Sequence, residues 1–407
     1  MNDKQKPSIR FKGFTEAWEQ RKLGELGEIL TGSTPSTTQT EYYSDDGIPW
    51  VTPTDINANL IYDTPKKLSE EGAEIGRVVP ANTILCTCIA SIGKNALLTV
   101  KGSFNQQINS LTPSKENDAY FLLTESELWS NTMKRMAASG TMQIVNKTEF
   151  SELQTMVPSL PEQQQIGEYF RNLDHLITLH QRKYDKLVNV KKSMLEKMFP
   201  RDGKNVPEIR FSGFTEAWEQ RKFGEMASSF EYGLNAAAKE YDGENKYIRI
   251  TDIDDNTREF VSDSLTSPDI DLTDAEKYKL SAGDILFART GASVGKSYIY
   301  RDNDGLVYYA GFLIRASIND EYDAEFVFQN TLTDKYKKYI TVTSQRSGQP
   351  GVNAQEYSEY KIQVPKKEEQ IKIGKYFRNI DKLITLHQRE VEKLQNIKKS
   401  CLEKMFA

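Results

Sequence analysis

Two stretches of the chain carry the same periodicity. In residues 161–199 the seam positions are Ile166, Phe170, Leu173, Ile177, His180, Tyr184, Leu187 and Met194. In residues 368–406 they are Ile373, Phe377, Ile380, Ile384, His387, Val391, Leu394 and Cys401. Steps of three and four alternate, which is the pattern of a paired helix. Leu176, Leu179, Leu383 and Leu386 widen the stripe and predict a second apolar neighbour for each helix. Ser159 and Glu162 predict a capping box at the first start, and Pro200 with Gly203 predicts its stop. Thirty-nine residues at about 1.5 Å each make a rod of roughly 58 Å. His180 and His387 read as packing residues on the seam. The pairs Lys191-Lys192 and Lys398-Lys399 read as solvated faces.

Elsewhere the period shortens. Apolar runs at 48–51, 84–88, 247–253, 285–288 and 306–314 are broken by Gly, Pro, Asn and Asp, and predict short strands. Helical stretches are expected near 120–136 and 323–340. Trp50, Trp129 and the tyrosines between 299 and 309 read as core or wall. The expected fold class is α+β: two globular domains joined by two long antiparallel coiled-coil helices and related by a pseudo-two-fold. The segments are 1–158 (first domain), 159–200 (first helix), 201–365 (second domain) and 366–407 (second helix).

That plan rests on duplication. Residues 7–25 and 207–225 agree at 16 of 19 positions, and residues 161–199 and 368–406 at 27 of 39. The intervening 26–158 and 226–365 share only echoes: Thr54-Asp55-Ile56 beside Thr251-Asp252-Ile253, SIGK at 91–94 beside SVGK at 293–296, and two Ser-Gly loops ending in Val145-Asn146 and Val352-Asn353. One scaffold therefore serves twice, under two diverged domains.

Composition narrows the chemistry. The 407 residues hold 53 Lys plus Arg and 58 Asp plus Glu, a net charge of −5, so a free-standing basic DNA binder is not indicated. No apolar run reaches the length of a membrane span. No apolar leader opens the sequence, and Cys86, Cys88 and Cys401 cannot make a disulfide framework, so a cytoplasmic setting is expected. Three histidines and three cysteines argue against a metal site. The run GASVGKS at 291–297 is one residue short of a phosphate-binding P-loop, and SIGKN lacks its leading glycine. A glycine turn presenting Lys94 or Lys296 to an anion fits better. No catalytic motif stands out.

Residue types suited to phosphates and base edges cluster on the shared motifs and loops. They are Thr54, Lys94, Gln106, Gln107, Thr141 and Gln143 in the first domain. In the second they are Arg249, Thr251, Arg289, Lys296, Ser344, Gln345, Arg346 and Gln349. Each also has an ordinary reading as a solvated or turn-forming residue.

The doubled unit of an RF-x-GF-x-x-x-W opening, a variable domain and a PxxEQxxI-type helix start resembles the specificity (S) subunit of type I restriction–modification systems. The residues are Arg10-Phe11, Gly13-Phe14, Trp18 and Pro158 to Ile166, then Arg210-Phe211, Gly213-Phe214, Trp218 and Pro365 to Ile373. The run at 283–296 also looks like the family's target-recognition domains. In the first copy, Asn82 and Thr87 are read at the places of Asp284 and Arg289. The resemblance implies a non-catalytic reader of double-stranded DNA, each domain taking half of a bipartite asymmetric site. It implies that two methyltransferase (M) subunits and restriction (R) subunits use S-adenosylmethionine, ATP and Mg, with no cofactor in this chain. It also implies a cyclic layout in which the chain ends meet. Two other classes stay open: a stand-alone nucleic-acid enzyme and a coiled-coil scaffold without a DNA role.

Overall fold

A computed structural model describes residues 6–139, 144–261, 264–346 and 348–406. The chain forms two compact units that cut across its linear order: residues 1–179 with 390–407, and residues 180–389. The two long helices, Leu160–Lys197 and Lys367–Met405, each contribute to both units.

Unit 1 is built on a sheet in the order Gly27–Thr31, Ile108–Pro113, Thr83–Thr87, Asn95–Leu98 and Leu60–Ile61. Its strands are antiparallel except the last, which is parallel to its neighbour. Unit 2 repeats the first four as Ala227–Tyr232, Leu313–Ile318, Ile285–Ala288 and Ser297–Ile299. A helix, Ala119–Ser139, packs against the sheet of unit 1. The matching stretch of unit 2 is split into Ala324–Asn330 and Asp334–Thr343, because Thr333 caps the second piece and breaks the run at 331–333. The expected strand at 247–253 ends early, since Asp252 turns the chain by holding Arg249. Trp50, Trp129, Tyr300, Tyr308 and Tyr309 are all buried, as core residues should be.

The repeated opening segment has one structural task in both units. Its strand Glu19–Lys22 pairs with Gln154–Val157, and Glu219–Lys222 pairs with Lys361–Val364, closing each domain just before its helix. Arg10 donates two hydrogen bonds to Glu162 at 2.6 and 2.7 Å; Arg210 does the same to Glu369 at 2.7 and 2.7 Å. Both carboxylates are fully buried, so each needs its guanidinium. The side chain of Glu162 therefore serves Arg10, and the capping box expected with Ser159 is not formed.

Each opening segment also seats the end of the helix from the other repeat. In unit 1, Phe406 packs on Trp18, Phe121 and Phe170 with ring centroids 6.0, 5.7 and 5.7 Å apart. In unit 2, Phe199 packs on Trp218, Phe326 and Phe377 at 6.2, 5.6 and 5.9 Å. Backbone bonds repeat the match: Ile9 donates to the carbonyl of Lys404 and Ile209 to that of Lys197, both at 2.9 Å. The start and end of the described chain thus meet inside unit 1, where the linker stands in unit 2.

Within each unit the helices run antiparallel along the predicted seam. Ile166, Phe170, Leu173, Ile373, Phe377, Ile380 and Ile384 are buried, while Ile177, Leu187 and Leu394 are half-buried. His180 meets His387 in unit 2, Nδ1 to Nδ1 at 3.1 Å, as equivalent residues of an antiparallel pair should. The seam also holds two lysines that the pattern had placed in solvent. Lys191 pairs with Asp381 at 2.6 Å, and Lys398 with Asp174 and Glu127 at 3.0 and 2.9 Å. Burial works to lower the pKa of Lys398, but the two carboxylates outweigh it and the net shift is upward. The second correction concerns Leu176, Leu179, Leu383 and Leu386. They are exposed (40, 38, 44 and 51%) rather than buried against a second neighbour.

Candidate nucleic-acid interface

Three loops converge at one edge of each sheet. The first follows the central strand (Thr83–Thr87 or Ile285–Ala288), the second precedes Ile108 or Leu313, and the third leads into a short helix, Lys147–Glu152 or Ala354–Ser358. In unit 1, Cys88 donates its backbone N–H to the carbonyl of Gln107 at 2.9 Å and accepts from Val145 at 3.0 Å. In unit 2, Arg289 donates to Phe312 at 3.1 Å and accepts from Val352 at 2.9 Å. This pattern fixes the equivalence of the two units. Cys88 matches Arg289, Thr83 matches Asp284 and Gln107 matches Phe312. The sequence register, which set Asn82 and Thr87 against Asp284 and Arg289, is one residue out. Asn82 matches Gly283 instead, and both have a left-handed backbone, φ 64° and 87°.

The shared glycine turns are packing devices. Gly295 has φ +83°, and a Cβ there would lie 2.6 Å from Ile340. Its amide donates to the hydroxyl of Tyr357 at 3.1 Å, and its carbonyl accepts from Tyr336 at 3.0 Å. Lys296, expected to face an anion, is 8% exposed and pairs with Asp255 at 2.7 Å. Lys94 in unit 1 remains exposed.

The other candidates divide in the same way. Gln106 is exposed, and its side-chain oxygen accepts from Thr34; Gln107 is half-buried beside Asn105. Thr54 is exposed and shares a hydrogen bond with Thr52 at 2.8 Å. Arg249 does not offer its fork, because Asp252 takes both Nε and Nη2 at 2.8 Å and Thr251 leans on the same carboxylate at 3.2 Å. Ser344 is buried and closes the loop through its carbonyl, which accepts from Gly351. Gln345 and Gln349 are exposed, and Arg346 is tied to Glu356. Thr141 and Gln143 lie outside the described residues.

The arrangement brings Arg289, Gln349 and two residues missed in the sequence onto one rim. The guanidinium of Arg289 lies 5.1 Å from the ring centroid of Tyr232 and 5.7 Å from that of Phe312. Both rings are exposed, 43 and 61%. In unit 1 the matching Cys88 is buried, and its sulfur accepts from Asn109 Nδ2 at 3.1 Å. Its pKa is pulled down chiefly by hydrogen bonding to Cys86, whose own thiol is pushed up by burial. Only the difference between the two copies could have flagged Tyr232 and Phe312.

Among the described residues no group of His, Cys, Asp and Glu is placed to hold a metal ion, and no helix is long and apolar enough to cross a membrane. Two like frames with unlike rims define a duplicated α+β module. Residues 15–189 and 215–396 match the family described as type I restriction modification DNA specificity domain. The chain belongs to that family and carries its domain twice.

Curated relatives agree. The HindI specificity subunit of Haemophilus influenzae is 34% identical over 35% of this chain and 32% of that protein. The MjaIX specificity subunit of Methanocaldococcus jannaschii is 26% identical over 57% and 56%. The matched stretch thus spans about a third to a half of those two. The MjaVIII specificity subunit of the same organism is matched over 95% of this chain and 91% of its own length, at 23% identity. The crystal structure of a type I restriction–modification S subunit from M. genitalium shares the fold, with a TM-score of 0.65, 16% identity and 99% coverage of both chains.

Proposed function

We propose that this chain is the DNA specificity subunit of a type I restriction–modification complex, in which each unit reads one half of a bipartite, asymmetric site. The observation that carries the reading is a conserved seat beneath a divergent rim. Arg10–Glu162 and Arg210–Glu369 are near copies, whereas Cys88 and Arg289 occupy one position with opposite chemistry. A module duplicated to recognise one repeated ligand would keep its rim; one that reads two different half-sites varies it.

On this reading the paired helices set the unspecified spacer between the half-sites. Two M subunits dock on the helical scaffold and methylate adenine with S-adenosylmethionine. R subunits add ATP- and Mg-dependent cleavage. The chain supplies no catalytic group and works in the cytoplasm. A net charge of −5 is consistent with partners that share the grip on DNA.

Exchange of residues 26–158 for another variable domain tests this directly. Adenine methylation mapped across the host genome should change in one half-site and keep the other. Unchanged sites after the exchange would refute the assignment. Methylation or cleavage of DNA by the purified chain alone would favour the stand-alone enzyme. No sequence-preferential DNA retention by the assembled complex would favour a scaffold.

A further inference from the structure

Most half-buried arginines of unit 2 are held by carboxylates. Arg210, Arg249, Arg301 and Arg315 are each held by a carboxylate: Glu369, Asp252, Glu325 and, for the last, Glu231 with Asp284. Among the described residues Arg289, like Arg258, has no such ion pair. Among these residues the Arg289 side chain makes no hydrogen bond either, and its Nε is fully buried without a partner. The rings of Tyr232 and Phe312 flank the guanidinium instead. Aromatic faces hold a guanidinium in place but do not use its in-plane donors. The result is an oriented fork with unspent hydrogen-bonding capacity. It stands on a rim where Phe312 is 61% exposed and the side-chain nitrogen of Gln349 lies 3.0 Å from the place of a Cβ on Gly291.

The terminal nitrogens of the fork have no partner within the described residues, and a ligand on the rim can complete their hydrogen bonds. The ligand must present two in-plane acceptors to the fork and an apolar face or edge to the neighbouring ring. In a DNA major groove, guanine offers O6 and N7 at that spacing, and the adjacent base offers a face or a thymine methyl. Unit 1 cannot make the same contact, because Cys88 is buried and Gln107 replaces Phe312.

We propose that unit 2 reads a guanine through Arg289 clamped between Tyr232 and Phe312, and that the matching position of unit 1 imposes no such requirement. The proposal rests on the reading of the chain as a DNA specificity subunit.

The test uses the assembled complex with its methyltransferase partner and maps adenine methylation for the wild type, Arg289→Lys, Arg289→Ala, Phe312→Ala and, as a control in unit 1, Cys88→Ala. A domain exchange identifies which half-site unit 2 reads. Both Arg289 variants should relax one guanine position in that half-site, with discrimination falling roughly 10- to 100-fold, and should leave the other half unchanged. Phe312→Ala should slow methylation at the same sites without changing the motif at the other half. Cys88→Ala should leave the guanine requirement intact. The lysine variant keeps the charge, so it decides the matter if the alanine variant unfolds. A unit 2 half-site that lacks guanine, or a motif unchanged letter by letter in Arg289→Lys and Arg289→Ala, overturns the proposal. Both results leave the specificity-subunit reading standing. A wild-type complex that confers no bipartite motif overturns that reading and this proposal together.

Discussion

In unit 1 the residue after the central strand is a buried cysteine bonded to Asn109; in unit 2 it is an arginine between two exposed rings. About this position both units keep the same backbone bonds, the same glycine turn and the same short helix with an Asn cap, Asn146 or Asn353. The frame is constrained because it must hold a helix end. The rim side chains differ while the backbone bonds beneath them are kept. On the proposed reading, this divergence of the rim on a kept frame lets one fold carry two specificities.

The sharpest way to break the comparison is to attack the shared seat. Arg10→Ala leaves Glu162 buried and uncompensated, and Arg210→Ala does the same to Glu369. Each should cost about 3–5 kcal/mol, and the two losses should be alike. Urea titration followed by tryptophan fluorescence checks this, since Trp18 and Trp218 sit in the two seats. A large loss from one variant and none from the other would show that the seats are not equivalent.

A second prediction touches only unit 1. Glu125 is fully buried on the helix Ala119–Ser139, and burial raises its pKa to about 8, against opposing bonds from Thr155 and the Met156 backbone. Asn330 holds the matching position in unit 2. A carboxyl raised in this way favours the fold in its neutral form. Its stabilisation is complete below the ordinary carboxylate range and is lost as pH rises through about 8. Glu125→Gln should therefore melt several degrees above the wild type at pH 8.5, and the gap should close at pH 5. Thermal melts of the two proteins at both values check it; a gap independent of pH contradicts the buried neutral carboxyl.

The frame was largely legible and the rim was not. Duplication marked Arg10, Trp18, Arg210 and Trp218 as repeated parts of the scaffold, but not the pairing of the arginines with Glu162 and Glu369. Periodicity exposed the seam and placed His180 and His387 on it. It could not tell which flank of a helix has a neighbour, so the four flanking leucines were placed inside and Lys191 and Lys398 outside. Loop chemistry failed for a further reason. Whether Arg249 or Lys296 is free depends on Asp252 and Asp255, which the fold turns onto them. The partnership of Arg289 with Tyr232 spans 57 residues of sequence and leaves no periodic trace.

The misplaced leucines lead to the smallest effect on the chain itself. Leu176 and Leu179 in unit 1, and Leu383 and Leu386 in unit 2, stand in solvent on otherwise well-packed helices. Replacing an exposed leucine with a polar residue removes little buried surface, so Leu176→Gln and Leu383→Gln should each shift stability by no more than about 0.5 kcal/mol. Their cost should fall on assembly instead, since rows of exposed apolar side chains on rigid helices are suited to a protein partner. If the M subunits cover these rows, the leucine variants should weaken co-purification of that subunit while the melting temperature of the free chain holds. Seam variants such as Phe170→Ala should do the reverse, lowering the melting temperature first. Equal loss of stability from both sets would mean that the leucines are packed within this chain after all, and full retention of the partner by the leucine variants would move its docking surface elsewhere.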